Sequence, residues 1–204
     1  MNILFVCTGN TCRSPMAEVL LKSKSTEIGV KSAGIFAGVG QPMTDHSVTV
    51  LQEINLAADH QSKPVDENLL TWSDLVLTMT DKHKETLSIQ YPHHEDKFFT
   101  LKEYVLINEE QWSSLKQLYT DFEEKRIHIL NGADDELSDQ ELEAKLRKEL
   151  EADIRQIEQA ESHIPNLNII DPFGANLSVY RQTRDEIQKY INLLIKKLGG
   201  TLKE

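Results

Sequence analysis

A cysteine and an arginine six positions apart near the start of the chain have the types and spacing needed for phosphate chemistry. The segment is Cys7-Thr8-Gly9-Asn10-Thr11-Cys12-Arg13-Ser14, between an apolar run and a predicted helix. A short loop that enters a helix exposes backbone N–H groups and the positive end of the helix dipole, which together bind anions. Arg13 adds a guanidinium that can hold two phosphate oxygens. We expect Cys7 to be a thiolate near neutral pH and a nucleophile toward phosphorus.

The residue types inside this loop favour one backbone shape. Gly9 and Asn10 stand where we expect positive φ angles. Pro15 suits the first position of a helix, and Ser14 before it is a suitable cap. The alternative interpretation is a buried structural cysteine beside a helix-capping loop.

The elements around the loop alternate between strand and helix patterns. Short apolar runs predict four strands, and helical spacing or capping predicts the segments between and after them. Such alternation predicts an α/β fold: a doubly wound, open parallel sheet of about four strands with helices on both faces. Ligands bind outside the carboxyl ends of such strands, where Cys7 falls. The predicted strands are Ile3 to Val6, Val30 to Ala33, Asp74 to Met79 and Lys97 to Phe99, and the predicted helices begin at Pro15, Asp45, Asp81 and Val179.

Residues 107–165 break this alternation. They hold 16 acidic and seven basic residues, a net charge of −9 out of −11 for the whole chain. A turn signal at Asn131-Gly132 and a capping box at Ser138-Asp139-Gln140-Glu141 predict two amphipathic helices joined by a turn. We therefore predict a single domain over residues 1–204 that carries an acidic helical hairpin as an insertion.

Composition excludes several classes of protein. Hydrophobic residues make up 39% of the chain and charged residues 27%, which supports a folded core. The net charge of −11 argues against nucleic acid or an anionic membrane as a partner. The apolar run at the start is too short for a membrane span. Only Cys7 and Cys12 are present, so we expect reduced thiols and a cytoplasmic protein.

Six segments match the sequence pattern of one known family, and the match stops over about Ile107 to Pro165. The chain resembles the low-molecular-weight protein tyrosine phosphatases and, more closely, their protein arginine phosphatase branch. The segments are Phe5 to Glu18, Ser32-Ala33-Gly34, Ser73-Asp74-Leu75-Val76, Phe99 to Tyr104, Asp171-Pro172-Phe173-Gly174 and Tyr180 to Asp185.

The resemblance implies a role for each residue of the site. Cys7 would form a phosphocysteine, Arg13 would bind the phosphoryl oxygens and Ser14 would hold Cys7 as a thiolate. Asn10 would brace the loop. Asp171, which by itself is typical of a turn before proline, would protonate the leaving group and then activate water. The other residues of the phosphate-binding loop are Thr8, Gly9, Thr11 and Cys12.

Cys12 has two interpretations. The resemblance implies a reversible disulfide with Cys7 that protects the nucleophile from overoxidation. The alternative is a small buried side chain that fills space. If the redox role is right, dithiol should restore peroxide-treated native protein but not Cys12→Ser.

Two residues favour phosphoarginine over phosphotyrosine. Thr11 stands where the tyrosine-directed branch usually has an aliphatic residue, and its hydroxyl can bond a guanidinium or a water. Phe173 stands where that branch tends to have tyrosine. We therefore expect a protein arginine phosphatase that acts on phosphorylated proteins, with a low-molecular-weight protein tyrosine phosphatase as the alternative.

Other functions fit the residues less well. Arsenate reductases with this loop need later cysteines, and none follows Cys12. A phosphocarrier needs no general acid such as Asp171 and usually no arginine in the loop. A catalytically idle binding module does not explain why every expected catalytic residue is present. His93-His94-Glu95-Asp96 fits a solvated loop better than a metal site, so we predict no metal and no cofactor.

The acidic insertion also has two interpretations. It is either a solvated hairpin packed on the sheet or a docking arm or lid beside Asp171 that attracts basic, Arg-rich protein substrates. If it is a docking arm, deletion of Asn108 to His163 should weaken turnover of protein substrates and spare that of small ones.

Overall fold

The four predicted strands form one parallel sheet in the computed structural model, which describes residues 1–132 and 138–199. The strands are β1 (Asn2–Cys7), β2 (Gly29–Gly34), β3 (Leu75–Thr78) and β4 (Phe98–Thr100), in the order β2-β1-β3-β4. β1 is central, and its last residue, Cys7, is in register with Gly34 at the end of β2. The site therefore lies at the carboxyl edge of the sheet, as predicted.

Eight α-helices are described along the chain. Several begin where a side chain caps their first turn, such as Thr44, Asp66 and Thr80. None of the described helices is long and apolar enough to cross a membrane. The helices are α1 (Arg13–Lys24), α2 (Asp45–Gln52), α3 (Glu67–Trp72), α4 (Asp81–Gln90), α5 (Leu101–Leu106), α6 (Glu109–Asn131), α7 (Asp139–Ser162) and α8 (Leu177–Lys197), with a 3₁₀ helix at Pro92–Lys97.

Alternate residues of β1 point to opposite faces of the sheet, and helices cover both faces. Phe5 is buried on one face in a cluster with residues of α1 and α8, such as Leu20 and Ile187. Leu4 is buried on the other face in a cluster with residues of α3 and α4, such as Leu70. This arrangement confirms the predicted doubly wound sheet.

Helix α1 begins earlier than predicted. It starts at Arg13, so Ser14 lies in its first turn and is not the cap, and Cys12 at the cap position makes no side-chain capping bond. The Ser14 hydroxyl bonds the Cys7 sulfur and the Ala33 carbonyl instead. The expectation of a serine cap was therefore wrong, and no side chain caps the first amides of this helix.

The chain divides into two compact units, Met1–Leu106 with Leu167–Glu204, and Ile107–Asn166. In the second unit, α6 and α7 confirm the two predicted helices. Each begins with a capping box, formed by Asn108 with Gln111 and by Ser138 with Glu141. The buried residues of the two helices are apolar: Leu115, Ile129, Leu150 and Ile157. Most of the predicted connection after Asn131-Gly132, residues 133–137, lies outside the described residues.

Candidate active site

The loop between β1 and α1 directs its carbonyl oxygens outward. The carbonyls of Cys7 and Thr8 each accept a hydrogen bond at 2.9 Å from backbone N–H groups just after β2, and that of Thr11 accepts one at 3.0 Å from Thr44 N–H. In a trans peptide the C=O and N–H groups point in opposite directions. The N–H groups of residues 8, 9 and 12 therefore face the interior of the loop, where they form an anion cradle with the uncapped end of α1.

Asn10 holds the shape of this loop. It is fully buried and has a φ of 55°, a left-handed conformation that asparagine tolerates better than most residues. Its Nδ2 donates to Ser14 Oγ at 3.0 Å and Ser32 Oγ at 2.9 Å, and its Oδ1 accepts from Lys63 N–H at 3.0 Å. Gly9 does not share the positive φ that we predicted for it. The left-handed turn therefore depends on Asn10 alone.

Cys7 and Ser14 are in contact at the base of the cradle. Cys7 Sγ lies 3.0 Å from Ser14 Oγ, and both residues are buried. Ser14 Oγ also donates to the Ala33 carbonyl at 3.2 Å and accepts from Asn10. A serine hydroxyl has one proton, so rotation of Ser14 can move its hydrogen bond from the carbonyl to a Cys7 thiolate.

Arg13 and Asp171 meet above the cradle. Arg13 Nη2 donates to Asp171 Oδ2 at 2.7 Å, with Arg13 only 4% exposed and the Asp171 side chain 52% exposed. Asp171 Oδ1 accepts from Phe173 N–H at 3.2 Å. The turn continues through Gly174, whose φ of 77° suits glycine. Asp171 therefore faces both the arginine and the solvent from which a substrate arrives.

A cavity of about 190 Å³ connects these groups. Asn10 and Ser14 are buried behind it, while Phe173 is 73% exposed at its rim. The structure thus brings all the predicted site residues into one place. The residues that line the cavity are Cys7, Thr8, Gly9, Thr11, Cys12, Arg13, Asp171 and Phe173.

Two histidines that the sequence analysis did not select also contact the loop. His60 Nε2 lies 2.8 Å from the Asn10 carbonyl, and His83 Nε2 lies 2.8 Å from Thr8 Oγ1. Burial, followed by the charge of Arg13, lowers the pKa of His83 to about 4, and the charge of Asp171 partly opposes this. The capping pattern at Thr80 marks the helix that holds His83, but no local signal shows that this helix reaches Thr8.

Cys12 is buried in a polar setting beside the nucleophile's loop. Its Sγ lies 3.5 Å from both Thr44 Oγ1 and the Tyr180 hydroxyl. Burial is the main cause that raises the pKa of Tyr180 to about 12, so this hydroxyl keeps its proton near neutral pH. Cys7 and Cys12 are both free thiols in the structure, and the disulfide between them stays a prediction.

The histidine-rich segment at residues 93–96 is part of a 3₁₀ helix. There His94 pairs with the carboxylate of Glu67 on α3. Among residues 1–132 and 138–199, no group of three or more His, Cys, Asp or Glu side chains is placed to hold a metal ion.

Comparisons with known proteins identify relatives that are phosphatases. A sequence profile described as low molecular weight phosphotyrosine protein phosphatase matches residues 2–124. A protein-arginine-phosphatase of Bacillus subtilis (strain 168) is 34% identical over 202 residues, which cover 97% of each chain. A low molecular weight protein-tyrosine-phosphatase, PtpB of Staphylococcus haemolyticus, is 44% identical over 105 residues, covering 52% of this chain and 75% of its own.

A solved structure shares the fold along nearly the whole chain. It is a mutant of the YwlE arginine phosphatase with a phosphorylated active-site serine. It aligns with a TM-score of 0.67 at 33% identity and covers 98% of this chain and 96% of its own.

Proposed function

The chain belongs to the low molecular weight phosphotyrosine protein phosphatase family, and on that basis we propose that it hydrolyses phosphoarginine in proteins through a phosphocysteine. The observation that carries the proposal is the Cys7 thiol at the base of a cradle of N–H groups, with Arg13 and Asp171 above it. The steps that follow use side chains and amides of the chain and one water molecule.

The first step transfers the phosphoryl group to the protein. The amides of the loop and Arg13 hold the phosphoryl oxygens, and the Cys7 thiolate attacks phosphorus in line with the leaving group. A P–S bond forms and the P–N bond to the arginine side chain breaks. Asp171 gives its proton to the departing nitrogen, so the arginine leaves with its ordinary guanidinium side chain.

The second step releases phosphate. A water molecule attacks the phosphorus of the phosphocysteine while Asp171 removes its proton. The P–S bond breaks, inorganic phosphate leaves and Cys7 returns as a thiolate that Ser14 can stabilise with its hydroxyl proton. The phosphorylated active-site serine described for the YwlE mutant is the kind of covalent species that this step requires.

The contact between Arg13 and Asp171 has a role in this cycle. The phosphoryl oxygens of a substrate compete with Asp171 for the same Arg13 N–H group. Binding of the phosphoryl group therefore turns one N–H group of Arg13 Nη2 from Asp171 to the substrate. The freed Asp171 carboxylate then takes a proton from solvent and presents it to the leaving nitrogen.

Two observations support a preference for phosphoarginine: the residues of the cavity wall and the extent of the match to relatives. Thr11 and Phe173 line the cavity, and a hydroxyl in the wall can bond the planar, polar guanidine or the water of the second step. The arginine-directed relative matches 97% of the chain, including the segment that contains Asp171 and Phe173, whereas the tyrosine-directed relative matches 52%.

Phosphotyrosine remains the second candidate. The observation that favours it is the higher identity, 44%, to PtpB of Staphylococcus haemolyticus over the matched residues. In either case the substrates are phosphorylated proteins. Because Cys7 must stay reduced to act, the proposal also places the protein in a reducing compartment such as the cytoplasm.

Release of inorganic phosphate from a protein phosphorylated on arginine tests the proposal. The native chain should release it in the presence of a chelator, and Cys7→Ser should not. Turnover that the chelator abolishes, or that survives in Cys7→Ser, would overturn the proposed mechanism. No release by the native chain would exclude phosphoarginine as the substrate.

A further inference from the structure

His83 links the phosphate-binding loop to helix α4. It lies in the first turn of α4, where only 8% of its surface is exposed. Its Nε2 lies 2.8 Å from Thr8 Oγ1, and its Nδ1 lies 2.9 Å from Thr80 Oγ1. The imidazole therefore bridges two threonine hydroxyl groups, of which only Thr8 lines the cavity.

The hydrogen bonds of Thr8 Oγ1 are restricted by two neighbouring side chains, Arg13 and His83. Arg13 Nη2 donates to Thr8 Oγ1 at 3.5 Å, and a guanidinium cannot accept in return. A hydroxyl has two lone pairs and one proton. If His83 Nε2 also donates to Thr8 Oγ1, both lone pairs are used and the hydroxyl proton is available to the cavity.

The state of His83 permits this donation. Burial and the Arg13 charge lower the pKa of His83 to about 4, against a smaller opposing effect of Asp171. The neutral ring has one N–H group. The Thr80 hydroxyl, which already accepts from the backbone N–H of His83 at 3.3 Å, can give its proton to Nδ1. The N–H group of the ring then lies at Nε2, toward Thr8.

We propose that His83 is a positioning residue for phosphoryl transfer: its Nε2–H group donates to Thr8 Oγ1 and thereby directs the Thr8 hydroxyl proton to an oxygen of the phosphoryl group. This inference rests on the proposed function, since it requires a phosphoryl group in the cavity. Thr8 then adds a side-chain donor to the backbone amides of the cradle. His83 itself does not touch the substrate.

The test is a double-mutant cycle with Thr8→Val and His83→Leu, measured as kcat/KM for p-nitrophenyl phosphate and as competitive inhibition by inorganic phosphate. A hydrogen bond to a charged group accounts for about a tenfold effect or more, so each single variant should lose about tenfold in both quantities. The double variant should lose no more than either single variant, because both changes remove one donor. If the loss in the double variant equals the product of the two single losses, the residues act independently and the proposal is overturned.

A conservative variant separates positioning from packing. The amide nitrogen of glutamine can take the place of Nε2, so His83→Gln should keep kcat/KM within about threefold of the native value. If His83→Gln loses as much as His83→Leu, the hydrogen bond is not the cause and the proposal fails. If His83→Leu does not fold, the cycle is completed with Thr8→Val and His83→Gln. In that case, any loss that His83→Gln causes in the native chain should disappear when Thr8 is already valine. If His83→Gln still lowers kcat/KM in the Thr8→Val background, the proposal is overturned.

Two controls report on changes unrelated to the site. Thr86→Val removes an exposed hydroxyl of the same helix that bonds the Lys82 carbonyl, and His94→Gln changes a histidine that pairs with Glu67. Both should keep native turnover. If the native chain neither hydrolyses p-nitrophenyl phosphate nor binds phosphate, the proposed function is overturned together with this inference. If the native chain is active but the losses of the two single variants multiply in the double variant, this inference alone is overturned.

Discussion

Arg13 Nη2 donates a 2.7 Å hydrogen bond to Asp171 Oδ2, although the two residues lie 158 positions apart in the sequence. The arginine begins the helix that follows the loop, and the carboxylate lies on the turn before α8. A group that binds the phosphoryl oxygens and a group that serves the leaving atom are thus in direct contact across the mouth of the cavity.

We expect Asp171→Asn to slow the reaction in a way that depends on the leaving group. Loss of a general acid typically costs about 10²- to 10⁴-fold in the rate of the step that it serves, and the loss in kcat/KM should be large for phosphoarginine, whose guanidine leaves poorly without a proton. It should be much smaller for p-nitrophenyl phosphate. Steady-state kcat/KM on both substrates measures this difference, because it reports on the transfer to Cys7 and not on the phosphocysteine hydrolysis that both substrates share.

A matched control for this prediction is Asp185→Asn. Asp185 also pairs with an arginine, Arg184, but lies on α8 outside the cavity, so its change should leave kcat unaltered. Equal losses on both substrates in Asp171→Asn would show that Asp171 does not protonate the leaving group.

The sequence was sufficient to predict the loop, its position after the central strand and most of the elements of the sheet. Those features depend on local patterns: the apolar run of β1, the Cys7 to Arg13 spacing and the capping signals. Helices α3 and α5 were missed because six residues are too few to show helical periodicity.

The partners that shape the site could not be predicted from local patterns. Ser32, Lys63 and His83 reach the loop from separate elements through tertiary packing, and their sequence neighbours give no sign of it. The placement of Ser14 was mistaken for a related reason. Serine before proline is typical of a cap, but here the hydroxyl is taken by the Cys7 sulfur and the Ala33 carbonyl.

We expect Asn10→Gly to destabilise the protein by about 2 to 4 kcal/mol, because it leaves the partners of a buried amide without their hydrogen bonds. Glycine accepts the φ of 55° without strain, so Asn10→Ala should cost about 1 kcal/mol more. Urea unfolding of the variants measures both effects. Asn55→Gly is the control, since Asn55 also has a positive φ but is exposed, and its change should stay within about 0.5 kcal/mol. Equal stabilities for Asn10→Gly and Asn55→Gly would contradict the bracing role of Asn10.

His83 should make stability depend on pH. Its pKa is about 4 in the folded chain against 6.5 when unperturbed, so the unfolded state binds its proton first as the pH falls. The stability that this difference supplies is present above pH 6.5 and is lost as the pH falls toward 4. Between pH 7 and 4.5 we expect the native chain to lose on the order of 1 to 2 kcal/mol more than His83→Gln, after allowance for solvent screening. Urea unfolding at the two pH values measures this, and parallel losses in both proteins would contradict a buried, neutral His83.

Thr11→Ile tests the determinant of substrate choice. Replacing the hydroxyl with an aliphatic group should lower the ratio of kcat/KM for phosphoarginine to that for phosphotyrosine by about tenfold, which corresponds to about 1.4 kcal/mol of transition-state binding. Thr11→Ser, which keeps the hydroxyl, should retain most of the native ratio. An unchanged ratio in Thr11→Ile would show that specificity is set elsewhere in the cavity.

The proposal that this cysteine-based site acts on phosphoarginine is tested most directly by kcat/KM of the native chain on two peptides. The peptides differ only in a phosphoarginine or a phosphotyrosine, and the assay has chelator present and Cys7→Ser as the blank. We predict a preference for the phosphoarginine peptide of about tenfold or more. A preference for phosphotyrosine would contradict the substrate assignment while leaving the Cys7 mechanism in place.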